Sequence, residues 1–483
     1  MIIVISLYRS CLEDKMFINR TAELELLEKR FASGKAEFFV LYGRRRVGKT
    51  ELLAHFCEGK RAIFFVSDLG SEVSLRTALS RAVNSVLFGP GQLEAVYTSW
   101  EALFQAVGQA AQDERLVLVL DEFPYLVSAY PPLATILQKV WDQMLKNTQL
   151  MLILCGSYIG MMEETVLGYQ APLYGRRTAQ YLLEPLLFRD ARLFYQAYTL
   201  EDQVRTYAVF GGTPAYLQTI DPELSLAQNI LEGILSRGSF LYDEVHFVLQ
   251  QELREPKNYF AILQAVAAGR TKLNEIKQAT GIEGPSVYLE TLEQLQLVER
   301  IVPITETQPQ KSRRGLYRLK DHYLRFWFRY VHPNRSQLER GAARLVLESQ
   351  VLPELDHFSS LAFEEICAQA LWQKGLAGEL PYVPERIGRW WNANEEIDLI
   401  GMNADMAMLV ECKWSSQPVG TNILVELERK AKLVRPELSD RKINYALCAR
   451  SGFTPQLRET IKNRDDISLF SLSDLIENID EAK

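Results

Sequence analysis

Short apolar runs alternate with stretches of helical spacing through the first part of the chain. The runs are rich in residues that favour β-strands and occupy positions 38–42, 62–66, 116–120, 150–155 and 179–183. Between them, apolar residues recur three and four positions apart, which predicts helices over 72–88, 99–111 and 132–145. Strands that alternate with helices predict a parallel sheet, with a ligand site at the carboxyl ends of its strands.

The rest of the chain changes pattern more than once. The apolar spacing is helical over 187–255, with a Gly-Gly-Thr-Pro break at 211–214. Residues 256–330 predict three short helices and two short strands, which is the spacing of a winged helix-turn-helix and also of many protein–protein modules. A connecting helix is predicted within 331–352. The segment 353–483 begins with a helix and continues with a hairpin and further strands.

Composition limits the class of protein. At 483 residues the chain exceeds one hydrophobic core, and its 47% hydrophobic and 24% charged residues indicate a folded protein. Six cysteines without a C-x-x-C pair favour reduced thiols over disulfides or a zinc site. No apolar run is long enough to span a membrane, so we expect a cytoplasmic protein without a membrane partner. Residues 1–15 read as an extension ahead of a natural domain start at Met16.

One local patch departs from the overall net charge of −7. It lies at and after the predicted wing and sets seven basic residues against the single acidic Asp321. The basic residues are Lys311, Arg313, Arg314, Arg318, Lys320, Arg325 and Arg329. Such a patch can lie along the phosphates of DNA. It can equally be a solvated face, or dock onto an acidic surface of the same chain.

The apolar run at 38–42 leads into G-x-x-x-x-G-K-T, which fits the phosphate-binding P-loop without mismatch. The nucleotide-binding residues are Gly43, Arg44, Arg45, Arg46, Val47, Gly48, Lys49, Thr50 and the following Glu51. A strand before the motif and a helix after it are the context that the motif requires. The glycines let backbone N–H groups turn towards phosphate oxygens, and the helix start adds more. Lys49 then reaches the β- and γ-phosphates and Thr50 ligates Mg²⁺, so we expect ATP and Mg²⁺ as cofactors.

The run at 116–120 ends on two acidic residues, Asp121 and Glu122, which is a Walker B pattern. We assign Asp121 to the Mg²⁺ shell and Glu122 to orienting or deprotonating the attacking water. Ser157, which follows the run at 150–155, either contacts the γ-phosphate or the attacking water, or only forms a turn. Arg176, before the last strand of this region, either stabilises charge in the transition state or has a structural role.

A second set of charged residues lies on the strands predicted in the segment 353–483. Asp398 lies on the second arm of a predicted hairpin, and alternation puts Ile397 and Leu399 together on the other face of that arm. The next strand ends on Glu-Cys-Lys-Trp, in which alternation puts Glu411 and Lys413 on one face. Two carboxylates and a lysine at adjacent strand ends are what a Mg²⁺-dependent phosphodiester nuclease needs.

A helix predicted over 361–371 adds a further carboxylate. Glu364 falls on the apolar face of this helix, where a carboxylate is costly unless it binds something. We therefore expect Glu364, Asp398 and Glu411 to hold the metal. Lys413 stabilises negative charge or positions the attacking water. The other reading of these residues is that they are ordinary charges at strand ends.

The order of the motifs resembles that of the archaeal-type AAA+/STAND ATPases, through FINR, GRRRVGKT, LDEFPYL, LYGRR and GGTPAYL. The later motifs FEE, EID and ECKW are similar to those of the PD-(D/E)xK nuclease-fold domain that such ATPases carry. The resemblance covers about 16–450. It implies that Arg20 lies near adenine and that Gly212 and Pro214 contact the nucleotide from the lid. The residues on either side of Arg20 depart from the family's usual pattern.

Together these observations predict an α/β multidomain protein. Its segments are a P-loop parallel-sheet ATPase core (16–186), a helical lid (187–255), a winged helix-turn-helix (256–330), a connecting helix (331–352) and a restriction-endonuclease-like α/β domain (353–483). We expect ATP hydrolysis coupled to Mg²⁺-dependent cleavage of nucleic acid, DNA first of all. The alternative is a STAND-type regulatory switch that binds DNA or a protein, with a nuclease fold that does not cleave. Self-association and an arginine finger acting in cis or in trans stay open.

Overall fold

The computed structural model describes residues 17–91, 95–157, 159–253 and 255–476. Within it the chain divides into two compact units, with the division between Pro185 and Leu186. The predicted extension over 1–15 lies outside the described residues, and so does Cys11.

The first unit is built on a sheet of five parallel strands with the order β2-β3-β4-β1-β5. The strands are β1 Glu37–Tyr42, β2 Ala62–Val66, β3 Leu116–Asp121, β4 Leu150–Gly156 and β5 Ala179–Leu182. The helices are α1 Thr21–Ala32, α2 Lys49–Phe56, α3 Glu72–Phe88, α4 Trp100–Ala110, α5 Phe123–Ala129, α6 Leu133–Gln143 and α7 Ile159–Met162. The strand predictions are confirmed to within a residue or two at each end. In space, β4 separates the P-loop strand β1 from β3.

The central strand β3 explains why the apolar runs are unbroken. Leu116, Leu118 and Leu120 belong to the core cluster that includes residues of α3 to α6. Val117 and Val119 belong to a second cluster that includes residues of α1 and α2. Because helices cover both faces of the sheet, every position of the strand is buried, and alternation of polar and apolar residues disappears.

The second unit begins with short helices and continues into a three-helix segment with a two-stranded sheet. The first group is α8 Phe188–Ala191, α9 Leu200–Phe210, α10 Pro214–Leu217, α11 Leu226–Ile230 and α12 Glu244–Glu252, with turns of helix at Arg192–Tyr195 and Leu231–Leu235. The second group is α13 Pro256–Ala267, α14 Leu273–Thr280, α15 Pro285–Gln294, β6 Val298–Ile301 and β7 Leu316–Leu319, followed by α16 His322–Phe326. Strands β6 and β7 pair antiparallel. The three helices and the hairpin were each predicted from the sequence.

The prediction of a single connecting helix within 331–352 is wrong, because the helix is interrupted in the structure. Its pieces are α17 Arg335–Glu339 and α18 Ala343–Val346, followed by wider and tighter helical turns at Leu347–Val351 and Leu352–Glu354. Between the first two pieces, Gly341 has a φ of 83°. This left-handed conformation ends a helix, and glycine adopts it without steric cost.

The last part of the second unit is a five-stranded mixed sheet with helices on both sides. Its elements are α19 Leu355–Leu376, β8 Arg386–Trp391, β9 Glu396–Met402, β10 Met406–Lys413, α20 Thr421–Leu438, β11 Lys442–Ala449, α21 Pro455–Ile461, β12 Ile467–Ser471 and α22 Leu472–Ile476. The strand order is β12-β11-β10-β9-β8, parallel from β10 to β12 and antiparallel from β8 to β10. Among the described helices, none combines the length and the apolar composition that crossing a membrane requires.

All five cysteines within the described part of the chain are buried and free. The sulfur atoms of Cys367, Cys412 and Cys448 lie within 4.8 Å of one another, although they come from α19, β10 and β11. The burial of these thiols agrees with the prediction from the sequence.

Candidate nucleotide and metal sites

The P-loop joins β1 to α2, and its own lysine closes it. The Lys49 ammonium donates to the carbonyl oxygens of Gly43 and Arg44, at 2.8 and 2.9 Å. Gly48 has a left-handed φ of 91° directly before α2. A side chain at Gly43 would overlap the carbonyl oxygen of Leu183, just after β5. The loop therefore needs glycine at both ends, and its lysine lies where phosphate oxygens can replace the two carbonyls.

The other predicted P-loop contacts share the same turn. Arg44 and Val47 are buried, Arg45 donates to the Tyr125 hydroxyl at 2.5 Å, Arg46 has a left-handed φ of 70°, and Glu51 lies in the first turn of α2. The bond between Arg45 and Tyr125 joins the P-loop to α5, which follows the Walker B strand. No sequence motif predicted this contact.

Arg20 binds the P-loop from outside. One guanidinium nitrogen donates to the carbonyl oxygen of Val47 at 3.0 Å and to that of Glu184 at 2.9 Å. The other pairs with Glu23 at 3.0 Å. Asn19 and Arg20 both have left-handed φ angles, 53° and 71°. Arg20 therefore positions the P-loop backbone in the structure, and the adenine contact that the resemblance implies stays a prediction.

The predicted Mg²⁺ ligands of the first unit converge from two elements. The Thr50 hydroxyl, at the start of α2, donates to a carboxylate oxygen of Asp121 at 2.6 Å. The other oxygen of Asp121 accepts from the backbone N–H of Glu122 at 2.9 Å. Hard oxygen ligands of this kind suit Mg²⁺, so the residues fit the cation that a P-loop nucleotide brings with it.

Glu122 is held in place by a residue whose role the sequence left open. Its φ of 51° is left-handed, which is uncommon for a residue with a side chain. The backbone N–H and the hydroxyl of Ser157 both donate to one Glu122 oxygen, at 3.2 and 2.9 Å. Ser157 therefore orients the carboxylate assigned to water activation, a role that neither sequence reading of Ser157 included.

Arg176 is engaged inside the first unit. Its guanidinium pairs with Asp142 on α6 at 3.0 Å and donates to the carbonyl oxygen of Tyr174 at 2.9 Å. These contacts favour the structural reading. A role in stabilising transition-state charge stays a prediction, and it would require the pair with Asp142 to break.

Gly212 and Pro214 lie in the second unit, where their own fold accounts for them. The carbonyl oxygen of Gly212 accepts from the N–H of Leu186 at 2.7 Å, and a side chain at Gly212 would overlap the carbonyl oxygen of Leu186. Pro214 begins α10 and is buried. The contact of this turn with nucleotide stays a prediction.

The second set of predicted residues comes together at the ends of β9 and β10. A carboxylate oxygen of Asp398 accepts from the backbone N–H of Cys412 at 2.8 Å. The Lys413 ammonium lies 2.6 Å from the carboxylate of Glu411, the residue with which strand alternation predicts a shared face. Asp398 and Glu411 are both buried, at 8% and 6% exposure. Burial and the neighbouring Glu411 carboxylate raise the pKa of Asp398 to about 6.

An irregularity in β9 lies beside Asp398. From Ile397 to Ile400, β9 advances three residues while its partner β8 advances two. As a result Ile397 shares its core cluster with Ile400, and the prediction that Ile397 and Leu399 occupy one face is wrong. Such bulges redirect side chains and are common next to functional sites, and a sequence pattern with period two does not reveal them.

Glu364, on α19, belongs to the same group of charges. One of its carboxylate oxygens is buried without a hydrogen bond, and Arg389 lies 3.6 Å from it. Burial, opposed by Arg389 and reinforced by Asp398, raises the pKa of Glu364 to about 7. Crowded, partly desolvated carboxylates with an orphaned oxygen are a donor set that fits a divalent cation.

Two basic residues at this site were not predicted from the sequence. The Lys430 ammonium, on α20, lies 3.3 Å from Glu411, and Arg389 lies 3.3 Å from Glu396. Lys430 is buried among the apolar positions of α20, three residues after Leu427. Its position on the apolar face of a helix could have identified Lys430 from the sequence, because the same kind of position identified Glu364.

Part of the basic patch at and after the hairpin of β6 and β7 is paired within the second unit, through Arg314 and Arg318. Arg314 pairs with Glu306 and Glu437 at 3.4 and 3.3 Å. Arg318 pairs with Glu299 at 2.5 Å. Of the readings of this patch, docking onto acidic groups of the same chain is the one that these ion pairs support.

Two protein-family models match different parts of this chain. Residues 17–220 match a family model described as an ATPase domain found predominantly in Archaea. Residues 327–430 match a second model, described as archaeal and bacterial proteins of unknown function. The first match includes the P-loop and the Walker B acids, and the second includes Glu364, Asp398, Glu411 and Lys413.

A relative matches over nearly the whole chain. The uncharacterized protein MJECL04 of Methanocaldococcus jannaschii is 33% identical over 465 residues, which are 95% of this chain and 100% of that protein. This chain belongs to the family of that protein. With the match to the ATPase model, it is an archaeal-type P-loop ATPase. The uncharacterized ATP-binding protein MJ0423 of the same organism is 54% identical over 46 residues, 10% of this chain and 78% of that one.

Solved structures resemble the chain at lower identity. The Walker-type ATPase PABY2304 of Pyrococcus abyssi is 20% identical, with a TM-score of 0.47 over 65% of this chain and 96% of that one. Cdc6p of Pyrobaculum aerophilum is 12% identical, with a TM-score of 0.35 over 70% of this chain and 96% of that one.

Proposed function

We propose that this ATPase couples the state of its bound nucleotide to Mg²⁺-dependent cleavage of nucleic acid, DNA first of all, by the residues around Asp398. The observation that carries the proposal is the crowding of carboxylates with a lysine at the ends of β9 and β10. Burial and mutual repulsion raise the pKa of Asp398 to about 6 and that of Glu364 to about 7, which a bound cation would relieve.

Each residue of the second site has a distinct task in this proposal. Asp398, Glu411 and Glu364 supply oxygen ligands for Mg²⁺. When bound, the cation polarises the phosphodiester and lowers the pKa of the attacking water. Lys413, which is 34% exposed at its side chain, holds the water or stabilises charge on the phosphate. The Cys412 N–H fixes the orientation of Asp398 through its hydrogen bond.

The nucleotide site works through its own set of groups. Lys49 exchanges its bonds to the loop carbonyls for bonds to phosphate oxygens, and Thr50 with Asp121 holds Mg²⁺. Glu122, oriented by Ser157, positions or deprotonates water for attack on the γ-phosphate. These roles belong to the ATPase domain and do not depend on cleavage by the second site.

The winged segment has a positioning role in the proposal. Its hairpin is bonded to the C-terminal sheet through Arg314, which donates to the carbonyl oxygen of Trp391 and pairs with Glu437. Arg318 also lies 3.6 Å from Glu365, the neighbour of Glu364. Residues 256–330 would therefore move together with the metal-binding residues when nucleotide state changes.

A cleavage assay on the full chain tests the proposal. Single-stranded, duplex and branched DNA are incubated with Mg²⁺ or Mn²⁺, with and without ATP, alongside Asp398→Asn, Lys49→Ala and the control Asp405→Asn in an exposed turn. We expect the wild-type protein and Asp405→Asn to cleave DNA and Asp398→Asn to lose cleavage. ATP should alter the cleavage rate of the wild type but not that of Lys49→Ala. Cleavage that survives Asp398→Asn would refute the assignment.

One observation favours a second function, a regulatory switch whose nuclease fold binds without cleaving. Lys413 and Lys430 lie 2.6 and 3.3 Å from the same Glu411 carboxylate and compete with a cation for it. A switch of this kind would bind DNA or a protein in a nucleotide-dependent way and leave every DNA substrate intact with either metal.

A further inference from the structure

A cavity of about 280 Å³ lies between the hairpin, α16 and the start of α19, apart from the residues assigned to metal. Three arginines from three successive elements line it. Arg318 comes from β7, Arg325 from α16, and Arg329 from the helical turn Trp327–Val331 that follows. Convergence of three guanidinium groups on one cavity is a feature of anion-binding sites.

Arg325 is the member of this group that interacts with a carboxylate, that of Glu365, only at a distance and not in an ion pair. Among the described residues, no carboxylate forms an ion pair with it, and its side-chain hydrogen bond is to a ring nitrogen of His322 at 3.1 Å. The guanidinium lies over the ring of Phe358, 5.1 Å from its centroid. Burial lowers the pKa of Arg325, although Glu365 partly opposes the effect. A half-buried cation in this position gains from an anionic ligand.

The other two arginines have acidic partners of different strength. Arg318 pairs closely with Glu299, at 2.5 Å. Arg329 is 56% exposed at its side chain and lies 3.9 Å from Glu354, a weak surface pair. A ligand would therefore replace the Arg329 contact at little cost while Arg318 keeps its pair. An anionic ligand would then contact Arg325 and Arg329, and the positive charge of the firmly held Arg318 would attract it as well.

The rest of the lining favours a ligand with an aromatic part. Tyr317, Tyr330 and Phe358 line the cavity beside the arginines. A second cavity of about 550 Å³ shares the lining residues Ala267, Arg329 and Tyr330, so the space continues beyond the arginines. Planar guanidinium forks match phosphate oxygens, and aromatic side chains stack on nucleobases.

We propose that this cavity binds the phosphate monoester of a nucleotide, supplied either by a free mononucleotide or by the 5′ end of a nucleic acid. Phe358 at the cavity and Glu364 at the metal-binding group lie six residues apart on α19, about 9 Å along the helix. A terminal phosphate held there would set the distance from a nucleic-acid end to the cleaved bond. That use of the site depends on the proposed nuclease function, but the binding does not.

A binding assay that excludes cleavage and P-loop binding tests the site. The protein is the full chain with Lys49→Ala and Asp398→Asn, studied with EDTA by fluorescence anisotropy. The probes are one single-stranded DNA oligonucleotide with a 3′ fluorophore and either a 5′-phosphate or a 5′-hydroxyl. We expect the 5′-phosphate form to bind about tenfold more tightly, because it gains charge-assisted hydrogen bonds.

Variants assign the preference to the cavity. In the same background, Arg329→Gln and Arg325→Lys should bring the two probes to within about twofold of each other, whereas the exposed control Arg340→Gln should keep the difference. Arg329 is largely exposed, so its variant stays informative even if the Arg325 variant lowers the melting temperature. Equal binding of both probes to the parent protein, or a preference unchanged in Arg329→Gln, overturns the proposal.

Competition with AMP identifies the source of the phosphate. Displacement of the 5′-phosphate probe by AMP, absent in Arg329→Gln, supports a free mononucleotide as ligand. Resistance to AMP together with the probe preference supports the end of a nucleic acid. Because no cleavage is measured, failure of the nuclease proposal leaves these results unaffected.

Discussion

At the level of single residues, Lys49 is the group on which nucleotide binding depends most. Its ammonium bridges the P-loop by donating hydrogen bonds to the carbonyl oxygens of Gly43 and Arg44. We expect Lys49→Ala to weaken binding of a non-hydrolysable ATP analogue at least about tenfold, since a charge-assisted bond to phosphate is lost. Titration calorimetry measures this, with the exposed Lys35→Ala as control. Unchanged affinity in Lys49→Ala would contradict the P-loop assignment.

Glu122 and Ser157 make a second prediction at this scale. Glu122→Gln should retain nucleotide binding and slow hydrolysis by about a hundredfold or more, because it removes the base or water-orienting carboxylate. Ser157→Ala removes the hydroxyl bond of 2.9 Å to that carboxylate but leaves the backbone bond. It should therefore slow hydrolysis less than Glu122→Gln, with little change in KM. Phosphate release measured at saturating ATP distinguishes the two variants, and a Ser157→Ala rate equal to the wild type would exclude the positioning role.

Glu365 leads to a prediction about pH. Burial would raise its pKa, but His322, Arg318 and Arg325 outweigh burial and bring the pKa down to about 2. The folded-state pKa lies below the unfolded value near 4.5, so the stabilisation is complete above about pH 5 and is lost as pH falls towards 2. Glu365→Gln should lower the free energy of unfolding at pH 7 by about 2 kcal/mol, and by less at pH 3. Urea unfolding followed by tryptophan fluorescence measures both, and the exposed Glu348→Gln serves as control.

The sequence was most informative where the chemistry is local. The P-loop, the Walker B acids and the placement of Glu411 and Lys413 on one strand face follow from spacing within a few residues, and in the structure these last two side chains lie 2.6 Å apart. Contacts between distant segments could not be derived in this way. Ser157 reaches Glu122 from the neighbouring region of the sheet, and Lys430 approaches Glu411 from a helix that follows it in the chain.

At the level of elements, the turn at Gly212 makes a specific prediction about stability. The carbonyl oxygen of Leu186 lies where a side chain at Gly212 would be, so Gly212→Ala must displace backbone. We expect a loss of about 1–3 kcal/mol in the free energy of unfolding, as for other overpacked sites. Gly233 is a matched control in the helical turn Leu231–Leu235, since a side chain there meets open space. Gly233→Ala should leave stability unchanged or raise it by up to about 1 kcal/mol.

Thermal unfolding of both variants measures the difference. A Gly212→Ala protein as stable as the Gly233→Ala protein would show that the turn adapts without cost. In that case the close approach of Leu186 would not explain the glycine.

Elements buried on both faces were the easiest to predict. The unbroken apolar runs of β1 to β4 correspond to strands whose positions alternate between two core clusters. The errors occurred where one residue changes the geometry. Gly341 ends a helix that the apolar spacing continued, and the extra residue in β9 shifts the face of every side chain after Ile397. The order of the strands follows from pairing between distant segments and is not contained in any single run.

For the whole molecule, coupling between nucleotide and nucleic acid has a thermodynamic signature. If a bound ATP analogue changes the affinity for DNA by some factor, bound DNA must change the affinity for the analogue by the same factor. We expect a factor of about fivefold or more, the usual range for allosteric coupling, in the Asp398→Asn protein, which keeps the DNA intact during the titration. Each ligand is titrated with and without saturating amounts of the other.

The same measurement separates the two proposed functions. In the Lys49→Ala, Asp398→Asn double variant, DNA binding should lose its dependence on the analogue, because the P-loop no longer responds. A factor of one in the Asp398→Asn protein would contradict coupling, and with it both the gated nuclease and the switch. The switch would be favoured if the affinities for DNA and for the analogue change by the same factor above one and the wild-type protein leaves DNA intact with both Mg²⁺ and Mn²⁺. Equal factors together with cleavage would favour the nuclease, with ATP binding selecting the state in which the carboxylates around Asp398 act on DNA.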